Sequence, residues 1–259
     1  MPYSVACTAT GDLIVADART ACLHRLDTKL TLSLPDIPSR RVNSLSPSTD
    51  MNAHSLRLHP FAGCVGLKGA VDGPGLRARF RYPIDVTTNP SGIIYVLDAP
   101  TNSHIKGMIP PAIRTVDPHG VVSTLRWTGL PLEEPRHLAV DPAGNVYVTE
   151  AGTRARRIRK ISPDGKSMIM AGGSPGTVRG GYEDGWRSNA TFWRPEGLAF
   201  DPVGVLYVGD LNIFSEAKVG SNGGLQNGGH SWIPCTPLED PSDNTVQVEI
   251  LHKRFEPSI

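Results

Sequence analysis

Apolar and polar positions alternate over short distances along the whole chain. Apolar stretches of a few residues, rich in β-branched and aromatic side chains, are interrupted by Gly, Pro and Asp. They are too short for helices and lack the spacing of one helix face. In "GLAFDPVGVLYVGD" two such stretches flank Asp-Pro-x-Gly. Proline presets the turn, the aspartate caps a backbone N–H, and glycine takes the positive φ. The pattern predicts a tight hairpin, with Gly144 and Gly204 at positive φ and Asp141 and Asp201 as turn caps.

The hairpin recurs four times, as "PYSVACTATGDLIVAD" (2–17), "PIDVTTNPSGIIYVLD" (83–98), "PRHLAVDPAGNVYVTE" (135–150) and "PEGLAFDPVGVLYVGD" (195–210). Each copy has sixteen residues from proline to acid, with its turn glycine at Gly11, Gly92, Gly144 or Gly204. After the third copy, "RRIRKIS" (156–162) reads as a third strand and "SMIMAGG" (167–173) as a fourth. One unit is thus a four-stranded antiparallel meander. Its inner strands are apolar on both faces, so neighbouring units must cover them by stacking radially. A second motif leads into two copies: "DGPGLRARFRYP" ends at Pro83 and "DGWRSNATFWRP" at Pro195. Their match predicts that Phe80 and Phe192 hold equivalent buried positions between adjacent units.

Ala171-Gly172-Gly173, Asp184-Gly185, Ala190, Phe192, Pro195, Gly197-Leu198-Ala199-Phe200-Asp201, Tyr207-Val208-Gly209-Asp210 and Ile158-Arg159-Lys160-Ile161 together resemble the NHL-repeat pattern. The resemblance covers roughly residues 2–27 and 60–219, and implies an all-β propeller built from four-stranded antiparallel NHL-type blades. About four blades are recognisable where the family commonly has six, so the expectation is an NHL-type propeller or part of one, partial or truncated relative to a six-bladed ring. The expected organisation is a propeller over 1–219, with a Ser/Pro-rich loop at 28–59 inserted in the first blade. An irregular tail follows at 220–259, with one candidate strand at 245–251 and a loose 220–244.

Composition narrows the function. With 26 Lys+Arg against 25 Asp+Glu, the net charge of +1 does not suit a dedicated nucleic-acid binder. No apolar run is long enough to span a membrane, and no signal peptide is seen, so membrane insertion is not expected and a cytoplasmic location is. Cys7, Cys22, Cys64 and Cys235 form no CxxC and are expected as reduced, mostly buried thiols. The sequon at Asn189-Ala190-Thr191 carries little weight without a signal peptide.

Asp17, Asp98, Glu150 and Asp210 close the second strand of each copy, and a repeating acid suggests a repeated structural hydrogen bond. His137 resembles the zinc-binding position of amidating-lyase propellers, but its equivalents are Ser4, Asp85 and Gly197. One histidine is not a zinc site. No catalytic residue, cofactor or metal site is therefore expected. The candidate binding surface lies in two basic runs, Arg77, Arg79 and Arg81, and Arg154, Arg156 and Arg157. Alternation in the second run makes a solvated strand face its plainest reading. The favoured role is a non-catalytic scaffold binding protein. The alternatives are a metal-dependent enzyme of the amidating-lyase or lactonase type and an RNA-binding propeller.

Overall fold

Each of the four proline-to-acid segments folds as an antiparallel hairpin. The computed structural model describes residues 2–26, 58–100, 109–153, 155–173, 190–201, 204–211 and 248–253. The first sheet has strand order β1 (Pro2–Cys7), β2 (Leu13–Asp17), β3 (Cys22–Leu26) and β4 (Leu58–Ala62). Residues 58 and 59, expected in the inserted loop, open β4 opposite β3. The second sheet adds a short β5 (Gly73–Pro74) to the meander β6 (Pro83–Thr88), β7 (Ile94–Asp98), β8 (Ala112–Val116) and β9 (Val121–Leu125). The third is β10 (Pro135–Val140), β11 (Val146–Gly152), β12 (Ala155–Ile161) and β13 (Ser167–Gly172). The fourth pairs β14 (Pro195–Phe200), β15 (Leu206–Leu211) and β16 (Val248–Lys253).

The fourth sheet departs from the expected pattern. β16 starts three residues after the predicted strand and runs parallel to β15, with Leu206 opposite Val248 and Asp210 opposite His252. Strand direction depends on which edge a returning segment meets, and residue pattern is silent on it. The loose 220–244 expected from composition lies outside the described residues, as does most of the inserted loop.

The turns follow the predicted chemistry. Gly11, Gly92, Gly144 and Gly204 have φ of +89°, +79°, +83° and +93°. Asp141 accepts the Asn145 amide at 2.8 Å, and Asp201 accepts the Val205 amide at 2.8 Å. Every first strand also shifts register just after its proline, by Ser4, Asp85, Leu138 and Gly197. Such a bulge re-aims the side chains that follow the strand opening.

The chain divides into two compact units: Met1–Asp98 with Arg114–Thr124, and Ala99–Ile113 with Leu125–Ile259. In the first, Ile14, Ala16, Leu23 and Ala62 of the first sheet share a core with Phe80, Val86, Ile94 and Val96. In the second, Ala139, Tyr147, Ile158 and Ala171 share one with Ala190, Phe192, Leu206 and Val208. Phe80 and Phe192 are thus buried at equivalent places between consecutive sheets, as the lead-in motifs predict.

Candidate functional site

Antiparallel pairing puts the start of each first strand and the end of each second strand at the same end of the sheet. The closing acid sits there. Asp98 accepts the amides of Arg81 and Tyr82, the two residues before Pro83, at 2.5–3.0 Å. Asp210 accepts those of Trp193 and Arg194, before Pro195, at 2.8 and 2.6 Å. Glu150 accepts the Glu133 amide at 2.7 Å. Asp17 instead caps the turn after it, taking the amides of Arg19 and Thr20. The repeated acids are backbone clasps, and charge assistance makes such bonds strong.

A buried arginine completes two of these clasps. Arg114, fully buried, reaches Asp98 at 3.5 Å, Asp72 at 2.6 Å and the Arg79 carbonyl at 3.1 Å. Arg159 donates to both Glu150 oxygens at 2.8 and 3.1 Å, and to the Leu130 carbonyl at 2.8 Å. Both are second in an Ile-Arg pair, Ile113-Arg114 and Ile158-Arg159. Burial pushes the Asp98 carboxyl upward, against the amides of Arg81 and Tyr82 and the charge of Arg114. Partial burial draws Asp72 upward as well, but bonds from Thr124 and Arg114 outweigh it and hold this carboxyl below the usual range. In the first sheet register places His24 opposite Val15, as Arg159 lies opposite Val148.

The two basic runs therefore have different fates. Arg157 is paired with Glu150 at 2.7 Å, and Arg156 lies over the Trp193 ring at 5.3 Å. Arg154 lies outside the described residues. Arg156 and Arg157 are half-buried by these contacts, which their alternation with isoleucine conceals. A buried guanidinium and a solvated one give the same sequence pattern; only the distant acid distinguishes them. In the first run Arg81 is half-buried, but Arg77 and Arg79 are exposed. Arg77 closes a single 3-10 turn, Gly75–Arg77, and Arg79 lies two residues beyond it. Around them Val65, Leu67, Val71 and Leu76 are also exposed. The Val71–Arg79 bridge and the Gly69 amide bonded to the Phe80 carbonyl tie this segment into one ribbon. Lys68 lies 3.7 Å over the Tyr82 ring on the same ribbon.

His137 is half-buried, and its amide bonds to the Thr149 hydroxyl at 3.0 Å. Among the described residues no three His, Cys, Asp or Glu side chains cluster to hold a metal ion. Cys7 is exposed, Cys64 half-buried and Cys22 buried. Burial pushes the Cys22 thiol up to about 11.

No protein-family model matches the sequence. Teneurin-m of Drosophila melanogaster is 27% identical over 245 residues, covering 82% of this chain and 8% of that protein. Mouse teneurin-3 is 26% identical over 193 residues, covering 63% of this chain and 7% of that protein. The chain thus spans less than a tenth of the length of these relatives. Among solved structures, an auxiliary nutrient binding protein from Bacteroides ovatus superposes with a TM-score of 0.51 at 15% identity. The match covers 81% of this chain and 45% of that one.

Proposed function

We propose that this chain is a β-propeller segment of the NHL type, its sheets matching about half of a larger solved chain, and that it is a binding scaffold without chemistry of its own. Its docking surface is the ribbon leading into the second sheet, residues 65–82, and its ligand is an acidic protein segment with apolar side chains. The observation that carries this is the ribbon's composition in space. Val65, Leu67, Val71 and Leu76 are exposed beside the cations Lys68, Arg77 and Arg79. The ribbon's one acid, Asp72, is already matched by Arg114. A patch that is both apolar and cationic suits a partner offering carboxylates around an apolar anchor. An RNA backbone would leave the four apolar side chains without use.

Peptide display against the full chain tests the reading. Enriched peptides should be acidic with interspersed apolar residues. Their affinity should fall at least tenfold in an Arg77→Glu/Arg79→Glu variant whose melting temperature is unchanged. Peptides without an acidic bias, or binding indifferent to the charge reversal, would overturn the assignment. Stoichiometric zinc or calcium retained through dialysis, with turnover of a lactone, would replace it with the enzymatic alternative.

A further inference from the structure

Two thiols meet where the first sheet gives way to the ribbon. Leu23 of β3 pairs with Ala62 of β4, and just beyond them the Gly66 amide donates to the Thr20 carbonyl at 2.7 Å. Between these two fixed points lie Ala21 and Cys22 on one side, but Gly63, Cys64 and Val65 on the other. The extra residue makes a bulge, which sets Cys64 across from Ala21 and Cys22.

The Cys22 thiol is aimed at this bulge. Its sulfur lies 3.3 Å from the Ala62 carbonyl oxygen and 3.4 Å from that of Gly63. The Gly63 carbonyl carbon is bonded to the Cys64 nitrogen, so the Cys64 Cα is within about 6 Å of the Cys22 sulfur. Neighbouring strands run about 4.7–4.9 Å apart, and a disulfide joins Cα atoms about 4.4–6.8 Å apart. A bond between the two sulfurs therefore asks for side-chain rotation and little movement of the backbone. Gly63, next to Cys64, has no side chain to stand in the way.

Both cysteines are free thiols, but they differ in access. Cys22 is buried, whereas Cys64 is half-buried and opens a turn closed by the Leu67 amide on its carbonyl at 3.0 Å. Burial chiefly, with the charges of Asp17 and Cys64, holds the Cys22 thiol up at about 11, against a hydrogen bond with the Phe61 backbone. Cys64 is thus the thiol that meets a reagent first, and Cys22 the one that resolves it.

We propose that Cys22 and Cys64 are a disulfide-forming pair that fastens the root of the ribbon to β3, with a small-molecule disulfide as the oxidant. The Cys64 thiolate attacks one sulfur of the oxidant, a mixed disulfide forms, and the other half leaves as a thiolate. Cys22 then gives its proton to solvent and attacks the Cys64 sulfur, expelling the second half. Two cysteine thiols are oxidised and one small disulfide is reduced to two thiols. The bond pins the ribbon's root whatever the ribbon binds.

The full native chain, incubated with oxidised glutathione, quenched in acid and mapped by mass spectrometry without reduction, tests this. A Cys22–Cys64 cross-linked peptide should appear and vanish on reduction. Cys22→Ala should instead stop at a glutathione adduct on Cys64, and Cys64→Ser should leave Cys22 unmodified. In the oxidised wild type, hydrogen exchange at the Gly66 amide should slow about threefold or more. Glutathione persisting on Cys64 of the wild type, with Cys22 free, would overturn the proposal. So would both thiols staying reduced while Cys7 is modified, or cross-linking that leaves exchange at Gly66 unchanged.

Discussion

The ring of Phe192 occupies the space into which a Cβ on Gly172 would project, with Cδ2 only 2.6 Å from that point. The Arg156 carbonyl oxygen closes the other side at 2.5 Å, and Gly172 has a φ of +75°. The first unit repeats the arrangement with Phe80 over Gly63, at 2.7 Å and a φ of +91°. Gly172→Ala should therefore lower stability by about 2–4 kcal/mol, combining backbone strain with overpacking. At Gly197 a Cβ would meet nothing within 4 Å. Gly197→Ala should stay within about 0.5 kcal/mol of the wild type in urea denaturation. Equal losses at the two sites would contradict the interlock.

Phe80 and Phe192 each fill the seam between two sheets. Truncating either to alanine should cost about 3–5 kcal/mol. The two rings belong to cores with no residue in common. The double variant should lose the sum of the single losses, within about 0.5 kcal/mol. A markedly smaller combined loss in a two-state urea titration would contradict that independence.

The hairpins and their turn glycines were legible because period-two alternation and Asp-Pro-x-Gly are local signals. So were the buried phenylalanines, since two copies of one motif could be compared. The clasps were legible only on the acid side. Asp98 and Glu150 recur, but Arg114 and Arg159 sit in strands where alternation with isoleucine imitates a solvent face. The direction of β16 had no local signal at all. Neither did the division of the arginines, because whether Arg77 or Arg157 reaches solvent depends on an acid brought in by another strand.

Glu150 is fully buried beside Arg159, which is 3% exposed. Arg159→Met should cost about 3–5 kcal/mol, because it leaves a buried carboxylate with only one of its two counter-charges, Arg157. Adding Glu150→Gln should recover part of that loss. A double-mutant cycle reads the coupling; strictly additive losses would mean the pair contributes no more than its separate parts.

Asp72 and Asp98 should titrate with opposite effects on stability. The Asp98 carboxyl is raised, so its native form binds a proton more tightly than the unfolded chain does. Its ionisation therefore opposes folding above the raised value, and the cost is relieved as pH falls toward 3.8. The Asp72 carboxyl is lowered, so its contribution is present above 3.8 and lost as pH falls through its native value. Asp72→Asn should thus be less stable than wild type near neutrality, and the two should converge in acid. Urea midpoints measured from about pH 6 to pH 2.5 check this; a constant gap would remove Asp72 from the clasp.

Iodoacetamide at mild alkaline pH should label Cys7 in the native protein and spare Cys22 until urea unfolds it. Only a thiolate reacts, and Cys22 is both covered and held protonated. Peptide mass spectrometry that found Cys22 labelled as fast as Cys7 would contradict its burial.

The clasps also bear on how such a chain grows by duplication. Asp98 finds Arg81, Tyr82 and Arg114 in its own repeat, and Glu150 finds Glu133, Arg157 and Arg159 in its own. A copied repeat thus arrives with its most demanding polar groups already satisfied. What it must negotiate with its new neighbours is chiefly apolar contact, which tolerates exchange of Ala, Ile, Tyr or Thr as long as volume is matched. In the second and third sheets acid and arginine lie within one repeat and are copied together, while the faces between repeats are left free to diverge.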